Sequence, residues 1–209
     1  MISFLLAFLA VYSSMHLLVA LRVWPLLPRA WYLRYAVWCF GLVIIVAPIV
    51  TYWLDHSGYH LPASIMAWPS FTWMGFVFVA FCLGLVLYFL EGVGRILTPF
   101  FASTGHRLLS PRRKALLLLG VTVAVLAVGF WQAREIRVRE IVIDSPKWSG
   151  KEHDLILVQI SDLHLGLMAG KERVQRIFAI LEHIQPHILV CTGDLIDSNP
   201  DNLAGLTRQ

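Results

Sequence analysis

The sequence predicts an α-helical membrane domain of four transmembrane helices, followed by the first β-α-β part of an α/β domain. Of its 209 residues, 58% are hydrophobic and only 14% are charged, with a mean hydropathy of +0.70. A chain this apolar is typical of membrane proteins. The apolar residues are unevenly placed, because residues 1–131 contain four long uncharged runs and residues 132–209 have the charge density of a water-soluble unit. We therefore expect a boundary between residues 131 and 132.

Four apolar runs are long enough to cross a bilayer. A helix needs roughly 20 apolar residues, with about 17 as the lower limit, to span a hydrocarbon layer of about 30 Å. The runs cover residues 2–21, 36–53, 71–90 and 115–131. Tyrosine and tryptophan cluster near their ends, as interfacial aromatic residues do. His16 lies inside the first run, where we expect a polar contact between helices.

Basic residues in the connecting segments predict the orientation. Residues 22–34 carry three arginines and residues 91–114 carry five basic side chains, whereas residues 54–67 contain neither lysine nor arginine. The positive-inside rule then places the N-terminus and residues 132–209 outside. Three arginines soon after the fourth run argue weakly against this. We expect an integral protein of the plasma or inner membrane, with its last segment on the external or periplasmic side.

The sequence indicates neither disulfide bonds nor nucleic-acid binding. Cys39 and Cys82 lie within membrane runs and Cys191 in a predicted strand, so no disulfide framework is visible. The lipid bilayer is the expected partner. No nucleic acid is expected, because no basic stripe interleaved with aromatic residues occurs.

The soluble segment has the pattern of a β-α-β unit. Residues 135–143 (EIRVREIVI) and 155–160 (LILVQI) predict strands, since they are rich in β-branched and apolar residues. Apolar residues recur at helical spacing over residues 171–185, and Pro186 ends that helix. Residues 188–191 predict the next strand.

Acidic residues and a histidine follow two of the predicted strands. Asp162 and His164 come just after the first strand of the β-α-β unit, and Asp194 follows the second. Parallel strands joined by a helix end at the same edge of the sheet, so these side chains should meet there. Carboxylate oxygens and imidazole nitrogen suit manganese, iron or zinc, and a carboxylate can bridge two such ions. Gly193 is expected to leave room for the backbone near the site.

These residues form two blocks, Asp-x-His at residues 162–164 and Gly-Asp-x-x-Asp at residues 193–197. In this order and β-α-β context they resemble the calcineurin-like metallophosphoesterase superfamily, in its membrane-anchored branch. The resemblance implies an α/β metallophosphoesterase domain that hydrolyses phosphate esters with two divalent metal ions. It also implies that Asp162 and His164 bind the first metal and that Asp194 bridges both. Asp197 would make a hydrogen bond or cap a turn near the site.

The family's later blocks have no counterpart after Asp197. Neither Gly-Asn-His-Asp/Glu nor Gly-His-x-His follows, so we expect a chain truncated within the catalytic domain and an incomplete second metal site. No catalytic residue is assigned. The alternative is a non-catalytic membrane protein with a residual metal-binding half-domain. A site close to the bilayer suggests a phosphate ester that is lipid-linked.

Two other histidine groups have simpler interpretations. His183 and His187 have the spacing of a metal pair, but Pro186 separates them, which favours a helix end and a strand start. Asp55, His56 and His60 could bind a metal weakly, although a solvated loop is the favoured interpretation.

Overall fold

A computed structural model describes residues 2–97, 109–146, 154–168 and 171–195. The described residues form two compact units. The first comprises Met1–Thr51 and Trp68–Ala133, and the second comprises Tyr52–Ala67 and Arg134–Gln209. The separation of a membrane domain at residues 1–131 from a phosphoesterase domain at residues 132–209 stays a prediction.

Four long helices account for the four apolar runs. They are α1 (Ile2–Val23), which continues into a 3-10 turn (Trp24–Leu26), α2 (Trp31–His56), α3 (His60–Leu97) and α4 (Pro111–Arg134). All four are long and apolar enough to cross a membrane. The predicted spans are thereby confirmed as helices, each longer than its apolar run because flanking residues, both polar and apolar, continue the helix. The chain is therefore a membrane protein in its architecture.

Several small side chains are completely buried in the first unit, alongside a core cluster of Tyr12, Met15 and Val77. Ala80, Ala115 and Thr122 are completely buried, whereas large apolar side chains such as Phe4 and Leu42 are 77% and 66% exposed. Membrane helices pack through small residues that allow close approach, and their large apolar side chains face lipid. A soluble protein would bury those side chains instead. The distribution of side chains thus fits a bilayer environment.

His16 makes the expected polar contact between helices. Its Nε2 accepts a hydrogen bond of 3.0 Å from the Trp73 indole N–H, and its Nδ1 lies 2.9 Å from the Tyr12 carbonyl oxygen. An indole nitrogen can only donate and a carbonyl oxygen can only accept. Both bonds form together only when the imidazole is neutral with its proton on Nδ1. His16 on α1 is therefore joined to Trp73 on α3.

A tight turn connects α2 to α3. Gly58 has a φ of +84°, and the amide N–H groups of Gly58 and Tyr59 donate to the carbonyl oxygens of Asp55 and Leu54 at 3.2 and 2.9 Å. This is the Schellman arrangement, in which a glycine in left-handed conformation ends a helix and satisfies its last carbonyl groups. It allows α3 to begin at His60, directly after the turn.

The chain after α4 contains the predicted β-α-β unit. Strand β1 (Leu157–Ile160), helix α5 (Lys171–Ile184) and strand β2 (Ile188–Cys191) follow one another, and the two strands pair in parallel. The register pairs Leu157 with Ile188 and Ile160 with Cys191, so both strands end together. This confirms the element types and the order expected from the sequence.

The strand predicted at residues 135–143 does not form. These residues have no regular secondary structure, and Val142 and Ile143 are each 81% exposed. A β-branched sequence becomes a strand only when another strand supplies hydrogen-bond partners and a face to pack on. In the described sheet, β1 pairs only with β2. The local preference was therefore a misleading signal here.

Candidate metal centre

The site is built where β1 and β2 end. Beyond the last strand residues, the two following loops stay joined by backbone hydrogen bonds. The amide N–H groups of Asp162, His164 and Leu165 donate to the carbonyl oxygens of Gly193, Asp194 and Leu195, at 3.3, 3.0 and 2.9 Å. The main chain thus holds the Asp-x-His block against the Gly-Asp block.

The three side chains predicted as metal ligands meet at this edge. One ligand atom from each of Asp162, His164 and Asp194 lies within 4.8 Å of the other two. His164 Nε2 is 3.9 Å from Asp162 Oδ1, and these two side chains are 47% and 65% exposed. Water and a small molecule can therefore reach the cluster. No other group of three metal-binding side chains occurs in the described ranges.

The backbone at this cluster is strained. Asp162, His164 and Asp194 have φ values of +55°, +46° and +44°. Only one further non-glycine residue in the described part of the chain has a positive φ, namely Gln185. Asp and His tolerate this left-handed region better than most residues, yet each such conformation still has an energetic cost. Such outliers collect where a functional geometry is imposed on the chain.

Gly193 has a different role from the expected one. A Cβ atom at this position would meet nothing within 4 Å among the described residues, so the glycine does not provide space for a close approach. Its φ is +138°, a conformation that side chains rarely adopt. The glycine is needed for the backbone bend that brings Asp194 to the cluster.

The loop after His164 is anchored on the first turns of α3. Leu165 is only 8% exposed, between the exposed His164 and the half-buried Gly166. The Ser64 hydroxyl donates a hydrogen bond of 3.3 Å to the Leu167 carbonyl oxygen. Ser64 and Leu167 are 103 residues apart. No sequence pattern connects them, so sequence reasoning missed Ser64.

The other candidate histidines have structural positions. His183 lies in the last turn of α5, and His187 Nδ1 accepts a hydrogen bond of 3.1 Å from the Ile156 amide N–H beside β2. The two histidines thus lie at a helix end and at the start of a strand, as the position of Pro186 between them predicted. Asp197 lies outside the described residues.

The expectation of a solvated loop is wrong, because Asp55 and His56 end α2 and His60 begins α3. Asp55 is only 3% exposed, and its Oδ1 lies 3.2 Å from His60 Nδ1. The tight turn brings His60 over the end of α2, which covers the carboxylate. His56 is exposed, as expected.

Two curated proteins are similar to this chain. A Danio rerio protein named transmembrane protein with metallophosphoesterase domain is 27% identical over 135 residues, or 64% of this chain and 31% of that protein. An Aquifex aeolicus (strain VF5) protein named uncharacterized metallophosphoesterase is 35% identical over 73 residues, or 35% of this chain and 28% of that protein. No family model and no solved structure matches.

The resemblance seen in the sequence is confirmed by these relatives. The match to the Danio rerio protein is longer than residues 132–209, so it extends into the helices that precede the metal cluster. This chain is thus homologous to metallophosphoesterases, one of them a transmembrane protein. It spans about a third of the length of the curated relatives it matches.

Proposed function

We propose that this homologue of metallophosphoesterases is a membrane-anchored, metal-dependent phosphoesterase. In this proposal Asp162, His164 and Asp194 bind a divalent metal ion, and Asp194 also reaches a second one. The observation that carries the proposal is the meeting of these three side chains within 4.8 Å at the end of two parallel strands.

The donor atoms fit a divalent cation. Two carboxylates supply hard anionic oxygens and the imidazole supplies a borderline nitrogen, a set that manganese, iron and zinc accept. Two carboxylates this close repel each other, and a dication relieves that repulsion. A divalent ion bound here supplies Lewis-acid polarisation of the phosphoryl oxygen and activates water at neutral pH.

The chain contributes orientation and access. The paired loops and the strained backbone hold the ligand groups before a cation arrives, so little ordering has to occur on binding. The side chains of Asp162 and His164 remain about half exposed or more, which leaves room for a phosphate ester and for water. No general acid is assigned within this chain.

The substrate proposed is a phosphate ester, lipid-linked in its most specific form. Support comes from Ser64, which contacts the loop after His164 and lies on α3. It precedes the apolar run at Phe71 by a helical rise of about 10 Å. The interfacial layer on each side of the hydrocarbon core is roughly 5–8 Å thick. Ser64 would thus lie just beyond that layer, next to the phosphates of the lipid headgroups.

Metal binding is the first test. We expect the chain in detergent to bind Mn²⁺, measured by electron paramagnetic resonance. Asp194→Asn should weaken that binding at least about tenfold, because even the loss of a residue that only supports a metal ligand costs about 10–100-fold in affinity. Asp154→Asn is the matched control, since Asp154 is an exposed carboxylate of the same segment outside the cluster. Equal affinity in all three proteins would contradict the proposed site.

Hydrolysis is the second test. The chain and its Asp194→Asn variant are compared for manganese-dependent hydrolysis of bis-p-nitrophenyl phosphate, p-nitrophenyl phosphate and phosphatidic acid in nanodiscs. Activity that is lost in the variant supports the enzyme, and preference for the nanodisc substrate supports a lipid-linked ester. Manganese binding with equal background hydrolysis in both proteins is the result expected of a non-catalytic half-domain.

A further inference from the structure

A buried ion cluster joins three helices of the first unit. The Glu91 carboxylate on α3 forms salt bridges with Arg22 of α1 and Lys114 of α4, with N···O distances of 2.9 and 3.0 Å. The three side chains are only 13–19% exposed. One carboxylate thus serves two cations, and the cluster keeps a net positive charge.

The rest of this unit increases the imbalance. Glu91 is the single acidic residue in residues 1–51 and 68–133, and eight basic residues accompany it. They are Arg22, Arg29, Arg34, Arg95, Arg107, Arg112, Arg113 and Lys114. Repulsion among so many cations destabilises the folded unit unless an anion is close.

The structure brings cations from separate stretches of the chain together. Arg112 Nε donates a hydrogen bond of 3.2 Å to the Pro25 carbonyl oxygen, which ties the start of α4 to the turn after α1. The Arg22 guanidinium carbon lies 3.8 Å from the centre of the Tyr88 ring. Arg22 Nε is buried and has no hydrogen-bond partner among the described residues.

Aromatic rings border these cations. The Arg34 guanidinium carbon lies 4.8 Å from the Trp24 ring centre, and Trp24 lies 6.3 Å from Trp38. Tryptophan and tyrosine are enriched where the headgroups of a bilayer begin. Arginines whose only role is to set topology can remain dispersed and solvated. Here Arg22 and Lys114 share one carboxylate, and Arg34 and Arg112 contact Trp24 and Pro25 in the turn that follows Arg22.

We propose that this end of α1, α3 and α4 binds the phosphate group of an anionic phospholipid. Basic pockets between membrane helices recognise anionic headgroups in this way, and we assign the exposed Arg112 and Arg113, at the start of α4, as donors to the phosphate. Arg22 and Lys114, which are paired with Glu91, contribute positive electrostatic potential to the site. The site does not involve the metal ligands, so it stands or falls independently of the proposed function.

Native mass spectrometry tests this proposal. The full chain is released from nanodiscs made of equal parts phosphatidylglycerol and phosphatidylcholine, and we expect it to retain phosphatidylglycerol preferentially. Arg112→Gln and Arg113→Gln should each reduce that preference by about fivefold, the change for one basic residue near an anionic surface. Arg137→Gln is the matched control, because Arg137 is an exposed arginine of the second unit, paired with Glu135.

Two results would overturn the proposal. Equal retention of both lipids, or an unchanged preference in the Arg112→Gln, Arg113→Gln double variant, means that the cluster does not recognise anionic headgroups. Inorganic phosphate distinguishes the remaining source of the anion. If 10-fold excess phosphate over lipid abolishes the retained phosphatidylglycerol, the site is one for free phosphate and the lipid assignment is wrong.

Discussion

At the residue scale, the proposed metal ligands have suitable donor atoms but unfavourable backbone conformations. Asp162, His164 and Asp194 supply the right donor atoms, and all three are in the left-handed region. Residue type alone indicated the metal chemistry. The conformations could not be predicted, because they result from the backbone pairing between the two loops rather than from local preference.

Gly193 allows the strain to be tested. Gly193→Ala places a side chain at a φ of +138° and should cost about 1–3 kcal/mol of stability, with weaker Mn²⁺ binding because Asp194 shifts. Thermal unfolding and the manganese titration described above measure both effects. Gly120→Ala is the control, since a Cβ atom there also meets open space among the described residues but Gly120 lies within α4. We expect no loss of stability in that variant, and equal losses in both would refute the role given to Gly193.

At the element scale, long or strongly patterned segments were predicted correctly. The four helices follow from the length of the apolar runs. Strands β1 and β2 follow from short apolar runs, and α5 follows from helical spacing that ends before Pro186. The prediction of a strand at residues 135–143 failed because a strand forms only beside a partner strand. A helix satisfies its own backbone groups, whereas a strand cannot.

The contact between α1 and α3 yields a prediction at this scale. His16→Phe removes the acceptor of the Trp73 indole N–H, and the loss should be about 0.5–2 kcal/mol of helix association. Unfolding in sodium dodecyl sulfate, followed by circular dichroism, measures it for His16→Phe, Trp73→Phe and the double variant. If the contact is real, the double variant should lose less than the two single losses together. Strict additivity would contradict it.

At the scale of the whole molecule, charge and chemistry are divided between the two compact units. The first unit has eight basic residues and only one acidic residue, whereas the other acidic residues, the metal ligands among them, belong to the second. The hydrogen bond between Ser64 and Leu167 joins the start of α3 to the metal-binding segment. This supports the expectation that both lie on the same side of the membrane.

Labelling can determine which side that is. In a background with Cys39, Cys82 and Cys191 changed to serine, Asp154→Cys should react with a membrane-impermeant maleimide on intact bacterial cells that express the chain. Arg29→Cys should react only after permeabilisation, because the positive-inside rule places it in the cytoplasm. The reverse pattern of labelling would overturn the proposed external or periplasmic site.

The sequence by itself determined the four membrane helices, the β-α-β unit and the identity of the three ligand candidates. These features depend on apolar length, on periodicity and on residue types next to strand ends, which are local properties. Only the tertiary structure decided the contacts of Ser64 with Leu167, of His16 with Trp73 and of Arg22 with Glu91, which join residues 103, 57 and 69 positions apart. Such contacts depend on how separate elements pack, and the residue pattern of a single segment does not predict that packing.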